Sequence, residues 1–277
     1  MIIIKNTDIN LKDTITCGQI FRYYEELDNS YTVILSDRVV NLKKDDNNLI
    51  VKSNNENNLE SVVCNYLDLK RDYNMLNKEL IKCDNSKKEI INSCIGLKMI
   101  KQPRFECFIS YIISQNNRVP QIKKILDNIS KNYGEKIIFN NKEYYLFPDV
   151  NKLRDVSVND YRNLKCGFRD KYIFEAVKNI YENNIDLDLI DKMDSEDALK
   201  YLMKNKGVGE KVASCILLFS YSKFDVYPID TWVKKYMKDA YNITDVKRIR
   251  KFTKEKYKEY SGLMIQYMFH YKRNKEY

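Results

Sequence analysis

Histidine is nearly missing from this chain: His270 is the single one in 277 residues. Two-histidine zinc sites, the HExxH helix and the two-histidine, one-carboxylate iron site all need more, so those chemistries are excluded. The seven cysteines, at 17, 64, 83, 94, 107, 166 and 215, include no Cys-x-x-Cys pair. Clustered ligands for a zinc knot or a four-cysteine iron–sulfur cluster are therefore absent, and the chemistry is expected to run on protein side chains with no cofactor. No apolar run approaches the roughly 20 residues of a membrane span, and a mean hydropathy of −0.56 with 44% hydrophobic residues reads as a soluble globular protein with no membrane partner. The opening MIIIKNTDIN lacks the basic start, apolar stretch and cleavage site of a secretory signal. A cytosolic protein with reduced cysteines is expected.

What is present is positive charge, unevenly placed. The formal net charge is +9, yet residues 1–202 carry 31 basic and 31 acidic side chains, and residues 203–277 carry 17 and 8. An excess confined to the last quarter points to an acidic partner, with phosphate backbone the commonest one, although solvated lysine-rich helix faces give a similar count.

A chain of this length allows one large or two modest domains. The first third reads as an antiparallel sheet: Ile2–Ile4, Gln19–Tyr24, Tyr31–Leu35, Arg38–Leu42 and Leu49–Val51 are short β-branched or aromatic runs, with turns at Ser36-Asp37 and Asp45–Asn48. From Leu59 the apolar period becomes helical, and helices are expected to dominate the rest. The fold class is thus α+β, mostly α, with an N-terminal antiparallel-sheet domain and flanking helix over 1–97 and a helical domain over 98–277. Pro103 suits the first turn of a helix ending near Gln115-Asn116-Asn117, a second helix follows Pro120, and a third starts near Lys171. Asp194 or Ser195 caps a helix to about Lys204; Lys206-Gly207-Val208-Gly209 then turns sharply into another helix, and Pro228 and Asp230 precede one from Thr231.

With only seven glycines in the chain, Gly207 and Gly209, two residues apart, stand out. Such a hairpin can serve as an ordinary interhelical turn. It can also aim free backbone N–H groups at a phosphate without reading sequence. Lys211 starts the next helix, where the positive end of the dipole helps lower an amine's pKa. Asp230, nineteen residues on, is a natural helix cap. Paired with a lysine nucleophile, it can also stabilise positive charge on a sugar as an amine forms a Schiff base.

The stretch KGVGEKVASCILLFSYSKFDVYPIDTW, residues 206–232, resembles the helix-hairpin-helix plus Gly/Pro-Asp signature of base-excision DNA glycosylases. CGQIFRY at 17–23, ISQNN at 113–117, CGFRDKY at 166–172 and SGLMIQYMF at 261–269 extend the resemblance to the 8-oxoguanine DNA glycosylase/AP lyase branch, over nearly the whole chain. The resemblance implies that Lys211 attacks the sugar C1′ and carries the Schiff base, and that Asp230, in the Pro228-x-Asp motif, stabilises the oxocarbenium-like transition state. It implies that the Gly18 carbonyl accepts from the N7–H that distinguishes 8-oxoguanine, that Cys215 packs on the lesion and that Phe269 stacks on it. It further implies that Asn116 fills the gap left by the flipped base, that Phe168 wedges the duplex and that Arg169 meets the estranged base or backbone. Carbonyls of Met203, Asn205 and Val208 fall where such hairpins hold a structural cation. The implied partner is duplex DNA containing 8-oxoguanine, bound by a monomer, at the nucleoid if the source is prokaryotic.

Three positions depart from the family pattern. Gln121 stands where better-known members carry an arginine that checks the opposite cytosine, and Trp232 replaces a histidine. Ile265 occupies the place of a glutamine, leaving Gln266 as the candidate for the lesion's Watson–Crick edge. Besides 8-oxoguanine excision with strand cleavage, two readings stay open: a glycosylase for other oxidised or alkylated bases, and a non-catalytic DNA-binding protein.

Overall fold

A computed structural model describes residues 1–276. Five strands, β1 (Ile2–Ile4), β2 (Tyr23–Glu25), β3 (Tyr31–Leu35), β4 (Arg38–Asp45) and β5 (Asn48–Ser53), form an antiparallel sheet in the order β1-β5-β4-β3-β2. Its register sets Val33 against Val40 and Leu42 against Val51. One face packs on α1 (Leu11–Thr16) and α2 (Leu59–Tyr66), burying Ile15, Val33, Leu42, Leu49, Val51 and Val63. The other face receives a hairpin of β6 (Lys136–Phe139) and β7 (Lys142–Tyr145), so that Ile34 and Val39 pack with Phe139 and Tyr144. Burial on both faces explains why all five residues of β3 are buried and why, Thr32 apart, it does not alternate with polar residues.

Two local expectations need correction. The β6–β7 hairpin falls in the region read as helical; Asn140 and Asn141 form its two-residue turn, both with positive φ, which asparagine tolerates. Gln19–Arg22 is not a strand. This segment is held by side chains: Gln19 Nε2 donates to the Lys98 carbonyl (2.8 Å), Gln19 Oε1 accepts from Ile100 N–H (2.8 Å), and the Gln19 carbonyl accepts from Gln102 Nε2 (2.8 Å) and Tyr111 OH (2.9 Å). Only Tyr23–Glu25 reaches the ladder.

The helical body comprises α3 (Tyr73–Cys83), α4 (Lys88–Ser93), α5 (Arg104–Ser114), α6 (Val119–Tyr133), α7 (Val150–Leu153), α8 (Val158–Asn163), α9 (Asp170–Tyr181), α10 (Ser195–Leu202), α11 (Glu210–Tyr221), α12 (Thr231–Tyr241), α13 (Val246–Tyr257) and α14 (Ser261–Glu276). Asp194, rather than Ser195, caps α10 by accepting from Asp197 N–H. Pro103 sits one residue before the first turn of α5, at its cap. At the centre, α5 and α11 bury Cys107, Phe108, Ile112, Ile216 and Leu217 completely. The ends of both helices are tied where Gln102 N–H donates to the Phe219 carbonyl and Ser220 Oγ to the Gln102 carbonyl, both 2.8 Å. Although α3 and α4 precede residue 97, Leu76, Leu80, Ile90 and Ile91 lie in the helical cluster. Among the described residues, no helix is long and apolar enough to cross a membrane.

Candidate active site

Between the loop after α1 and the helical body lies a cavity of about 500 Å³, lined from five stretches of chain: Gly18 with Phe21, Tyr111 to Ile122, Lys211 with Cys215, Pro228 to Trp232, and Gln266 with Phe269. Lys211 stands exposed in the first turn of α11, whose Gly209 cap offers no side chain, leaving the helix's first N–H groups open. The two hairpin glycines do different work. Gly207 has φ +86, and a Cβ there would lie 2.3 Å from Cγ of Tyr172, so only glycine fits against that ring. Gly209 has φ −87, and a Cβ there would meet nothing within 4 Å. The backbone at Gly209 is therefore open to a close approach from outside.

Asp230 is half-buried at the cap of α12, accepting from Val233 N–H at 2.8 Å. Capping fixes the carboxylate at the cavity wall, so the cap and site readings of this residue coexist. Burial pushes the Cys215 thiol up to about 12, with the charge on Lys211 opposing the shift and that on Asp230 adding to it. Cys215 is thus a neutral packing group, and Lys211 brings an amine to the same cavity.

Gly18 adopts φ +89 against the Phe269 ring, where a Cβ would lie only 3.3 Å from the ring's Cε1. The loop is held by α14: Gln266 Nε2 donates to the Cys17 carbonyl (3.2 Å) and Arg273 Nη1 to the Thr16 carbonyl (3.1 Å). Phe269 is half-exposed toward the cavity although most of α14 before it is buried. Trp232 meets it edge to face, with centroids 6.5 Å apart and planes at 86°. Behind them Tyr111 stacks on Phe219 at 5.7 Å and takes the edge of Phe21 at 5.5 Å. Ile265 and Gln266 both line the cavity.

A second group lies at the α5–α6 loop. Asn116 is exposed, with φ +47, and Phe168 is 55% exposed, its ring edge on Tyr172 at 6.3 Å. Phe168 and the hairpin are therefore braced by the same tyrosine. Arg169, expected at the estranged base or backbone, is buried here, and its guanidinium donates to the Gln115 carbonyl (Nε, 2.8 Å) and the Asn116 carbonyl (Nη2, 2.9 Å). These carbonyls have no helical partner, and the guanidinium supplies one. It also lies over the Phe168 ring at 4.3 Å. Gln121 lines an open hollow with Asn116, Asn117 and Arg118. Of the carbonyls named for a cation, that of Asn205 accepts from Val208 N–H at 3.0 Å. Among the described residues no group of three or more His, Cys, Asp or Glu side chains could hold a metal ion.

Sequence reasoning did not single out Tyr172, Tyr111, Phe21, Phe219 or Arg118. Tyr172 had a signal in its motif, since an aromatic at the end of CGFRDKY faces a hairpin whose glycine needs a flat neighbour.

A mixed sheet-and-helix body with a lysine-bearing hairpin beside an aspartate-capped helix defines the class: helix-hairpin-helix proteins of the DNA-glycosylase kind. Residues 1–108 match the family described as 8-oxoguanine DNA glycosylase, N-terminal domain. The chain is 30% identical over 207 residues, 66% of its length, to a probable N-glycosylase/DNA lyase of Methanothermobacter thermautotrophicus, and 27% identical over 237 residues, 82% of its length, to the N-glycosylase/DNA lyase OGG1 of Arabidopsis thaliana. It spans 65% of the length of each of these relatives. The Clostridium acetobutylicum 8-oxoguanine glycosylase/lyase, solved with duplex DNA containing cytosine opposite 8-oxoguanine, superposes with a TM-score of 0.94 at 37% identity, over 99% of this chain and 96% of that one. The chain belongs to the 8-oxoguanine DNA glycosylase/AP lyase family.

Proposed function

We propose that this protein excises 8-oxoguanine from duplex DNA and then cleaves the strand at the resulting abasic site. The observation that carries this is the single cavity joining Lys211 and Asp230 to a slot walled by Gly18 and Phe269. A flat purine fits beside the Phe269 ring. The Gly18 carbonyl supplies an acceptor for the N7–H of 8-oxoguanine, which guanine lacks, and Gln266, its Nε2 held by the Cys17 carbonyl, lines the same cavity as the candidate for the Watson–Crick edge. Cys215 packs against the base as a neutral thiol.

In the reaction the unprotonated Lys211 amine forms a bond to C1′ as the C1′–N9 bond breaks, its electron pair leaving with the base, which takes up a proton. Positive charge on the sugar develops beside the Asp230 carboxylate, whose position is held by its cap hydrogen bond. Ring opening gives the Schiff base between Lys211 and C1′. Loss of a C2′ proton then expels the 3′ phosphate by β-elimination. Asn116 occupies the space left by the flipped base, Phe168 wedges the stack, and the open N–H groups at Gly209 hold a phosphate. Duplex DNA is the partner, the protein acts as a monomer, and it works wherever the genomic DNA is held.

Borohydride trapping on an 8-oxoguanine duplex, beside an undamaged duplex and Lys211→Gln, tests this. The expected result is a covalent adduct requiring both the lesion and Lys211, with Lys211→Gln still binding DNA. An adduct on other lesions only would move the substrate to other damaged bases. Binding with no adduct on any lesion would leave a non-catalytic DNA-binding protein.

A further inference from the structure

Beside the α5–α6 loop an open hollow of about 400 Å³ is lined by Asn116, Asn117, Arg118 and Gln121. On the proposed reading, Asn116 enters the space vacated by the lesion, so the side chains next to it face the base left without a partner. Two guanidinium groups belong to this neighbourhood, and they differ sharply. Arg169 is buried and committed to the carbonyls of Gln115 and Asn116. Arg118 is exposed, and among the described residues no carboxylate, carbonyl or ring engages its guanidinium.

The backbone of Arg118 is fixed while its fork is unengaged. Its N–H donates to Asn117 Oδ1 (2.9 Å), and its carbonyl accepts from Gln121 N–H (2.9 Å) and Ile122 N–H (3.0 Å) at the start of α6. That helix end is poorly built for phosphate: Pro120 has no N–H, the Gln121 N–H is already used, and Val119 presents a half-exposed apolar side chain. Gln121 follows three residues on, on the same side of the turn, with an amide that can donate or accept and so tolerates any base edge.

We propose that Arg118 is the specificity-determining residue for the base opposite the lesion and that it selects cytosine. On its Watson–Crick edge cytosine presents two adjacent acceptors, N3 and O2, which a guanidinium fork can take together. Adenine flanks its N1 acceptor with an N–H donor, thymine places N3–H between its carbonyls, and guanine sets O6 beside two donors. The preference lost from position 121 is on this view restored one helical turn earlier.

This inference rests on the glycosylase reading, and the experiment separates the two. Single-turnover excision is measured on duplexes carrying 8-oxoguanine opposite C, T, G or A, with wild type, Arg118→Ala and Arg118→Lys. Binding to the same four duplexes with a tetrahydrofuran abasic analogue in place of the lesion is measured in parallel. Wild type is expected to favour cytosine by about tenfold or more. Arg118→Ala should lose that preference by falling opposite cytosine alone, and Arg118→Lys, which keeps the charge without the fork, should lose it too. Equal losses against all four partners, or an unchanged preference in Arg118→Ala, would overturn the proposal. Should wild type excise nothing, the glycosylase reading fails, and the analogue duplexes still report whether Arg118 selects cytosine.

Discussion

Two identical substitutions in the hairpin should have opposite consequences. Gly207→Ala forces an alanine into φ +86, at about 1–2 kcal/mol. It also drives a Cβ to 2.3 Å from the root atom of the Tyr172 ring, and displacing that ring adds overpacking of roughly 1–3 kcal/mol. At about 2–4 °C per kcal/mol for a chain near this size, Tm should fall by about 4–20 °C. Gly209→Ala places its methyl in open space at an ordinary φ of −87. Its stability cost is that of a poorer N-cap, about 0.5–1 kcal/mol, or roughly 1–4 °C. On the proposed function, that methyl nevertheless stands where a phosphate approaches the open N–H groups of α11. Loss of one charge-assisted hydrogen bond, about 1.5–3 kcal/mol, weakens duplex binding roughly tenfold or more. Thermal melts and fluorescence anisotropy with an undamaged duplex measure both. A Gly207→Ala protein as stable as wild type would refute the packing argument, and a Gly209→Ala protein binding as tightly as wild type would refute the phosphate cradle.

Arg22 and Glu106 form a buried pair at 2.8 Å, and burial raises the carboxyl's pKa despite the guanidinium. Arg22→Met should cost about 3–5 kcal/mol in urea unfolding and Arg22→Met with Glu106→Leu much less; an undisturbed single variant would contradict this. Burial pushes the thiols of Cys17, Cys94, Cys166 and Cys215 up to between about 11 and about 12. The unfolded chain releases those protons near pH 8.5 while the folded chain keeps them, so their contribution is whole below that pH and is lost as pH rises, by about 1.4 kcal/mol per unit for each thiol. Urea midpoints at pH 8, 9.5 and 10.5 should fall steeply, and a flat series would count against buried protonated thiols. The Trp232 edge on Phe269 is worth about 0.5–1.5 kcal/mol beyond burial, so Trp232→Ala should raise KM for the lesion duplex roughly three- to tenfold. A fall in single-turnover rate at unchanged KM would place Trp232 in the chemistry instead.

The parts of the site legible in the sequence were those where a scarce residue type fell in a fixed spacing. Gly207, Gly209, Lys211 and Asp230 stand within 24 residues of one another, on two helix starts whose capping follows local rules. The hidden parts depend on distant partners. Nothing near Gln19 reveals that its amide and carbonyl are satisfied by residues 98–111, and so an apolar, aromatic run read as a strand. Arg169 reads as a surface cation beside an exposed phenylalanine, because the two carbonyls that claim it lie more than fifty positions away. The Asn140-Asn141 turn did carry a local signal, two residues that tolerate positive φ between β-prone runs, but the helical context on both sides outweighed it.

On the proposed function, the reading of the base and the chemistry on the sugar come from different parts of the molecule. Gly18 belongs to the loop after α1, whereas Lys211 and Asp230 belong to α11 and the start of α12. What fixes one against the other is α14 and Gln19. The helix supplies Phe269 to the slot and, through Gln266 and Arg273, holds the carbonyls of Cys17 and Thr16 on the near side of Gly18. Gln19 anchors the far side to the segment leading into α5, which packs directly on α11. On the same proposal, discrimination depends on backbone placement, with the Gly18 carbonyl as the reading group. A carbonyl cannot be exchanged by mutation, so selection among bases acts on what surrounds it: the glycine that lets the chain turn, the ring that sets the slot width, and the hydrogen bonds that hold the loop. A lysine nucleophile would need none of this to react with a sugar presented to it, so on the proposed function selectivity falls to the slot walled by Gly18 and Phe269 in front of Lys211.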